Sequence, residues 1–176
     1  WLKAEKISFG MMIPSFLRHF LAVQEKKTHY PDLRMLFFGG ETLYRSDVEK
    51  ARTVFRKETF LVNIYASTEA YLMRSFPLAH DSLVKSNIVP IGYPVEGMEI
   101  TLQDEHGKKV KGREQGEIIL KSEYLTEGYH RQPGLRKKNT GKNPNDRDTR
   151  IFHTSDMGYF LDDNCLVHTG RKDSVV

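Results

Sequence analysis

Asn63-Ile64-Tyr65-Ala66-Ser67-Thr68-Glu69 ends an apolar run and sets an aromatic ring, a hydroxyl and a carboxylate close together along the chain. A nucleotide triphosphate with its metal asks for that mixture: a stacking plane, a hydrogen bond to phosphate and an oxygen ligand for magnesium. Gly116-Glu117, Thr154-Ser155-Asp156 and Gly170-Arg171-Lys172-Asp173 follow in that order. Each piece alone has a plainer reading. Tyr65 could be a core aromatic, Thr68 a turn hydroxyl and Glu69 an acid in a helix's first turn. Asp156 could be a turn residue before Gly158, and Arg171 a solvated cation. The ordered series outweighs these separate readings.

The elements that must carry these residues follow from periodicity. Ile7 to Ile13 is short and apolar, and Pro14 opens a helix whose apolar Phe16, Leu17, Phe20 and Leu21 recur at helical spacing. Leu33 to Phe38 is a continuous apolar run closed by Gly39-Gly40, the pattern of a buried parallel strand. Ser46 or Asp47 is placed to cap a helix reaching about Arg56, with Val48, Ala51 and Phe55 on one face. Phe60 to Ile64 is the next strand. Strand, helix and strand with short links make a parallel α/β unit, whose ligands gather at the carboxyl ends of the strands. Gly39-Gly40-Glu41 and Tyr65 to Glu69 both fall there. From Ile91 onward, short alternating segments separated by turn signals predict a β-rich part, with strands at Glu99–Leu102 and Glu117–Leu120 and a hairpin turn at Asp162–Asn164. Gly134 to Arg150 is polar and reads as a surface loop. The expected fold class is therefore an α/β parallel-sheet unit over 1–90, followed by a β-rich, small barrel-like subdomain over 91–176.

These motifs resemble those of the adenylate-forming enzymes: acyl-CoA ligases, luciferases and the adenylation domains of nonribosomal peptide synthetases. The family's Asn-x-Tyr-Gly-x-Thr-Glu is similar to Asn63–Glu69, with Ala66 in place of Gly. Its Gly-Glu-(apolar)3 and Gly-Tyr signature resembles Gly116–Leu120 and Gly128-Tyr129. Its Tyr-Arg-Thr-Gly-Asp resembles Phe152-His153-Thr154-Ser155-Asp156, with His153 in place of Arg and Ser155 in place of Gly. Its Gly-Arg-x-Asp hinge resembles Gly170–Asp173.

The resemblance implies an enzyme that makes an acyl-adenylate from a carboxylate and ATP and passes the acyl group to a thiol. It implies Tyr65 beside adenine, Thr68 on phosphate, Glu69 on Mg2+, Asp156 on both ribose hydroxyls and Arg171 on ribose or phosphate. Gly39, Gly40 and Glu41 would let the backbone approach adenine, Asn63 would belong to the same nucleotide site, and Asp173 would be the pivot of a small C-terminal domain. Phe37, Ile64, Leu72 and Met73, with Gly39 and Met11, would line an apolar acyl pocket. The acceptor would be phosphopantetheine on a carrier protein, preferred to CoA. The substrate would be a small carboxylate, an amino acid in the carrier-linked branch. A CoA ligase and a non-catalytic interaction module built on the same fold are the competing readings.

The family's Ser/Thr/Gly-rich phosphate loop has no counterpart here, nor does a Walker loop. The family's catalytic lysine lies beyond the hinge, and the sequence stops shortly after Asp173. The expectation is a fragment of the large N-terminal domain of such an enzyme, inactive by itself, with the missing parts of its polypeptide as partners. Apolar faces left uncovered by those parts would favour self-association.

Composition agrees with an ordinary globular chain: 176 residues, 39% hydrophobic and 28% charged, with a formal net charge of +4. Basic residues are scattered apart from Arg136-Lys137-Lys138 and Lys142, which argues against nucleic acid as a partner. A single cysteine, Cys165, excludes an internal disulfide and suits a reducing cytoplasm. No apolar run approaches the roughly 20 residues that span a bilayer, so no membrane partner is expected. The histidines show no metal-ligand spacing.

Overall fold

The computed structural model describes residues 1–24, 30–127, 130–131, 140–143 and 146–172. Asp173, the expected pivot, and Gly128-Tyr129 lie outside the described residues. The chain divides into two compact units, Trp1–Tyr65 with Ser75–Gly92, and Ala66–Arg74 with Tyr93–Val176.

In the first unit, strand β1 (Phe9–Met12) leads into helix α1 (Pro14–Ala22), then β2 (Met35–Phe38), helix α2 (Arg45–Val54) and β3 (Phe60–Ser67). Each return to the sheet passes through a helix, so the three strands run parallel. Phe9 pairs with Met35 and Met12 with Phe38, then Met35 with Phe60 and Phe38 with Asn63. Strand β4 (Tyr71–Leu78) returns beside β3 after a turn at Thr68–Ala70. The expected strands and helices are all present, and β4 is an addition whose mixed sequence carried no clear alternation.

Alternation along β2 divides the sheet's faces. Leu36 and Phe38 are buried with Leu17 of α1 and with Val48 and Ala51 of α2, and Leu61 of β3 joins the same core. The opposite face carries Phe9, Met11 and Phe60, which are 60%, 63% and 48% exposed. On α1 the buried stripe runs through Leu17, Phe20 and Leu21. Phe16, expected on that stripe, is exposed.

The helix starts are cross-braced. Tyr44, not Ser46 or Asp47, is the N-cap of α2. Asp47 sits one turn in, where its Oδ2 accepts the Tyr44 backbone N–H at 3.0 Å, as an acid at that position does in a capping box. Arg18 of α1 donates to both Asp47 oxygens at 2.9 and 3.0 Å, binding the two helices together. Glu41, in the loop after β2, caps α1: its oxygens accept the Ser15 backbone N–H at 2.9 Å and the Ser15 hydroxyl at 2.7 Å.

The second unit is built on an antiparallel sheet. Beyond the short β5 (Tyr93–Pro94), strands β6 (Glu99–Gln103), β7 (Lys109–Val110), β8 (Gly116–Ser122), β10 (Asp146–Phe160) and β11 (Leu166–Arg171) assemble in the order β11-β10-β8-β6-β7, with β9 (Thr140–Asn143) against β10. Leu102, Ile118, Leu120, Phe152 and Leu166 form its interior. The β-rich expectation is met by this open sheet. The expected hairpin turn is present too: the Leu161 N–H bonds to Cys165 O at 2.8 Å, and Asn164 takes a φ of +63°. The expected loop over 134–150 is corrected at Thr140–Asn143 and Asp146–Arg150, which are strands. Pairings such as Ile151 with Gly141 hold them in a ladder that polar local sequence does not advertise.

The Glu41 contact carries a pH signature. Ser15's hydroxyl, then its amide, hold the Glu41 carboxyl below its ordinary value of 4.5. The unfolded chain therefore takes up the proton more readily, so the contact's stabilisation is complete above about pH 4.5 and drains away as pH falls through the lower folded value. In acid titrations of unfolding, Glu41→Gln is expected to remove that part of the acid limb while leaving the neutral-to-alkaline limb unchanged.

Candidate functional site

Residues of the first unit gather at the carboxyl edge of its parallel strands. The β2–β3 pairing ends at Phe38 and Asn63, so Gly39-Gly40-Glu41 and Ile64-Tyr65 leave the ladder side by side. Several of these residues are committed to the scaffold. A Cβ on Gly39 would lie 2.8 Å from Ile64 Cγ1, so its missing side chain makes room for Ile64. Gly40 has a φ of +83°, a left-handed conformation that favours glycine. Both Glu41 oxygens are taken by Ser15. Asn63 is buried, and its NH2 donates to the carbonyls of Val89 and Pro90 at 3.2 and 2.9 Å. The side-chain polar atoms of Glu41 and Asn63 thus strap the turn and the 89–90 segment. Tyr65 is half-buried, as are Phe37 and Ile64.

In the second unit, Thr68 and Glu69 belong to the hairpin turn between β3 and β4, not to a helix start. Glu69 O accepts the Thr126 N–H at 2.8 Å, which ties the turn down while Thr68 stays exposed. Among the described residues, the hydroxyl of Ser67 is buried with no hydrogen-bond partner. Leu72 is half-buried, and Met73 is 0% exposed.

The most elaborated geometry lies on β10. His153 pairs with Ile119 and Met157 with Glu117, so Thr154, Ser155 and Asp156 together face the single residue Ile118. A bulge re-aims the side chains it carries. The Thr154 hydroxyl donates to Ile118 O at 2.8 Å and accepts the Asp156 N–H at 3.0 Å. Ser155 adopts φ +60°, which explains why the related motif has glycine there. Its N–H donates to Glu117 Oε1 at 3.2 Å. Asp156 and Arg171 are register partners across β10 and β11. Arg171 Nε and His168 Nε2 lie 3.8 and 3.7 Å from Asp156 Oδ1.

Two of the sequence-predicted residues, Asp156 and Arg171, are thus brought together. Glu117 and His168 were given no role from sequence. Glu117 stood in a recognised motif, but nothing in that motif showed what its carboxylate would hold. Arg74 was also missed. It is 1% exposed, donates to Asn164 O at 2.8 Å and lies 5.6 Å from the Phe160 ring, and burial lowers its pKa to about 10.

Among the described residues no three His, Cys, Asp or Glu side chains gather as a metal cage. Magnesium bound with a nucleotide takes most of its ligands from phosphate and water and needs only one or two protein carboxylates. Glu69, half-buried on a tethered turn, fits that smaller demand.

A family model described as "AMP-binding enzyme" matches residues 1–130. This chain belongs to the AMP-binding enzyme family. It is 27% identical over its whole length to polyketide synthase PksN of Bacillus subtilis, of which it spans 3%. It is 31% identical over 81% of its length to a D-alanine–D-alanyl carrier protein ligase of Streptococcus agalactiae, spanning 27% of that protein. The fold matches PA1221, a nonribosomal peptide synthetase protein containing adenylation and PCP domains, with a TM-score of 0.83 at 23% identity over 97% of this chain and 34% of that one. It also matches the Vibrio cholerae adenylation domain AlmE, solved with glycyl-adenosine-5'-phosphate, with a TM-score of 0.82 at 19% identity over 97% of this chain and 32% of that one. The AMP-binding match stops short of Asp156 and Arg171, and the alignment with the polyketide synthase extends across both. No described helix is long and apolar enough to cross a membrane.

The left-handed residue gives a direct test of the bulge. Ser155→Gly is expected to hold or raise stability, whereas Ser155→Val should cost about 1–3 kcal/mol, read as the shift of the urea unfolding midpoint.

Proposed function

We propose that this chain supplies the nucleotide-facing part of an enzyme that activates a small carboxylate, an amino acid, with ATP. The carboxylate oxygen attacks the α-phosphorus, an acyl–AMP bond forms and pyrophosphate leaves. The acyl group then passes to the phosphopantetheine thiol of a carrier protein, and AMP is released. The observation that carries this reading is the bulge that presents Asp156 beside Arg171 in a chain of the AMP-binding family. A carboxylate accepting from both ribose hydroxyls makes two charge-assisted bonds, and the neighbouring guanidinium suits the ribose or the phosphate.

The remaining roles follow from side-chain chemistry. Tyr65 offers its ring to adenine, and Thr68, exposed on its turn, offers a hydroxyl to phosphate. Glu69 would hold Mg2+, which when bound withdraws charge from the phosphate oxygens. Phe37, Ile64 and Leu72 present apolar surface suited to an apolar substrate side chain. Asp173 would serve as the pivot for a further domain. The carrier-protein acceptor is favoured over CoA by the D-alanyl carrier protein ligases among the relatives.

In the polypeptide that carries this sequence, Glu69→Ala is expected to lower carboxylate-dependent ATP–pyrophosphate exchange by about 100-fold or more. Asp156→Ala should do the same, chiefly by weakening ATP binding. Wild-type exchange in both variants would end the nucleotide reading. The exposed Phe9, Met11 and Phe60 face also leads us to expect the 176-residue chain to self-associate. Sedimentation of a clean monomer across rising concentration would contradict this.

A further inference from the structure

We propose that Glu117 is the positioning residue for the ribose-binding carboxylate, acting by accepting the Ser155 amide proton and so fixing the bulge that presents Asp156. The inference rests on the nucleotide reading above and assigns a task to a side chain that reading leaves idle.

Glu117 stands on β8 directly after Gly116, where the sheet leaves no room for a side chain. A Cβ at Gly116 would lie 2.7 Å from Val110 Cγ2 and 2.9 Å from Gln103 O. The backbone that bears Glu117 is therefore clamped between neighbouring strands. Its side chain is only 14% exposed, and each carboxylate oxygen has an assigned neighbour. Oε1 takes the Ser155 N–H at 3.2 Å and lies 3.8 Å from His153 Nδ1, and Oε2 lies 3.3 Å from Lys172 Nζ.

The Ser155 N–H needs such an acceptor. Where β10 departs from regular register it forfeits the ladder bonds to β8 that would satisfy its amides. Thr154's hydroxyl serves the Asp156 N–H, and Glu117 serves the Ser155 N–H. Ser155 is also the residue held at φ +60°, a conformation that persists only where surrounding contacts over-determine it. Without the carboxylate the bulge can relax toward ordinary pairing, and Asp156, its next residue, turns away from the ribose hydroxyls. Misplacing a binding group by about 1 Å is enough to lose much of its effect.

The test compares equilibrium binding of AMP and 2′,3′-dideoxy-AMP by calorimetry, since only AMP offers hydroxyls to Asp156. Wild type is expected to prefer AMP. Glu117→Ala should cut that preference by about tenfold or more while dideoxy-AMP affinity stays within about twofold of wild type. Glu117→Gln, whose amide oxygen can still accept from Ser155, should restore the preference. Should the alanine variant fail to fold, Glu117→Asp keeps the charge, withdraws the acceptor by one methylene, and should show the same selective loss. An undiminished preference in the alanine and aspartate variants overturns the proposal. So does an equal weakening of both ligands, which would mark a merely structural role, and so does failure of glutamine to rescue. Absence of AMP binding by wild type overturns the nucleotide reading itself and this inference with it. Wild-type binding of both ligands alike overturns the ribose role of Asp156 instead.

Discussion

Strand β10 has to run as a central strand between β8 and β11 and also leave the ladder to display a carboxylate. Departure from regular pairing strips backbone amides of their partners. An unsatisfied buried N–H costs about 1–3 kcal/mol, and a non-glycine residue held left-handed costs about as much again. Two side chains offset these terms, the Thr154 hydroxyl and the Glu117 carboxylate, each bonding an amide that the bulge set free. The departure of β10 from β8 depends on that compensation, because without it those two strands would simply zip.

The parallel-sheet unit distributes its polar residues differently. At the carboxyl edge, where an α/β sheet ordinarily receives its ligand, Glu41 and Asn63 are occupied with their own chain. Those bonds brace the edge. A motif can thus carry residues that brace the scaffold, and only the bonding pattern reveals them.

How much of this was legible in the sequence varies with the range of the interactions concerned. The apolar run at Leu33–Phe38 and the helix opened by Pro14 are local signals, and both elements form as read. So does the hairpin turn at Asp162–Asn164, where a short polar turn sits between apolar strands. Motif order pointed to Asp156 and Arg171 although β10 and β11 meet only in the fold. What escaped notice depends on partners remote in sequence. Strand β9 looks like loop until it pairs with β10. Phe16 fits the helical period yet is left exposed. Asp47 looks like a cap and is the acid one turn in, because Tyr44 begins the helix. Glu117's task was hidden for the same reason: its acceptor oxygen and the donor of Ser155 come from strands far apart along the chain.

The bulge is also hemmed in by its other neighbour. Just past it, Gly158 lies under β11 so closely that a Cβ would meet the Val167 carbonyl oxygen at 2.6 Å. Losing or gaining a residue between His153 and Gly158 would slide a bulkier side chain into that slot. A substitution within the segment, such as one at Ser155, leaves that fit intact, whereas a change in its number of residues does not.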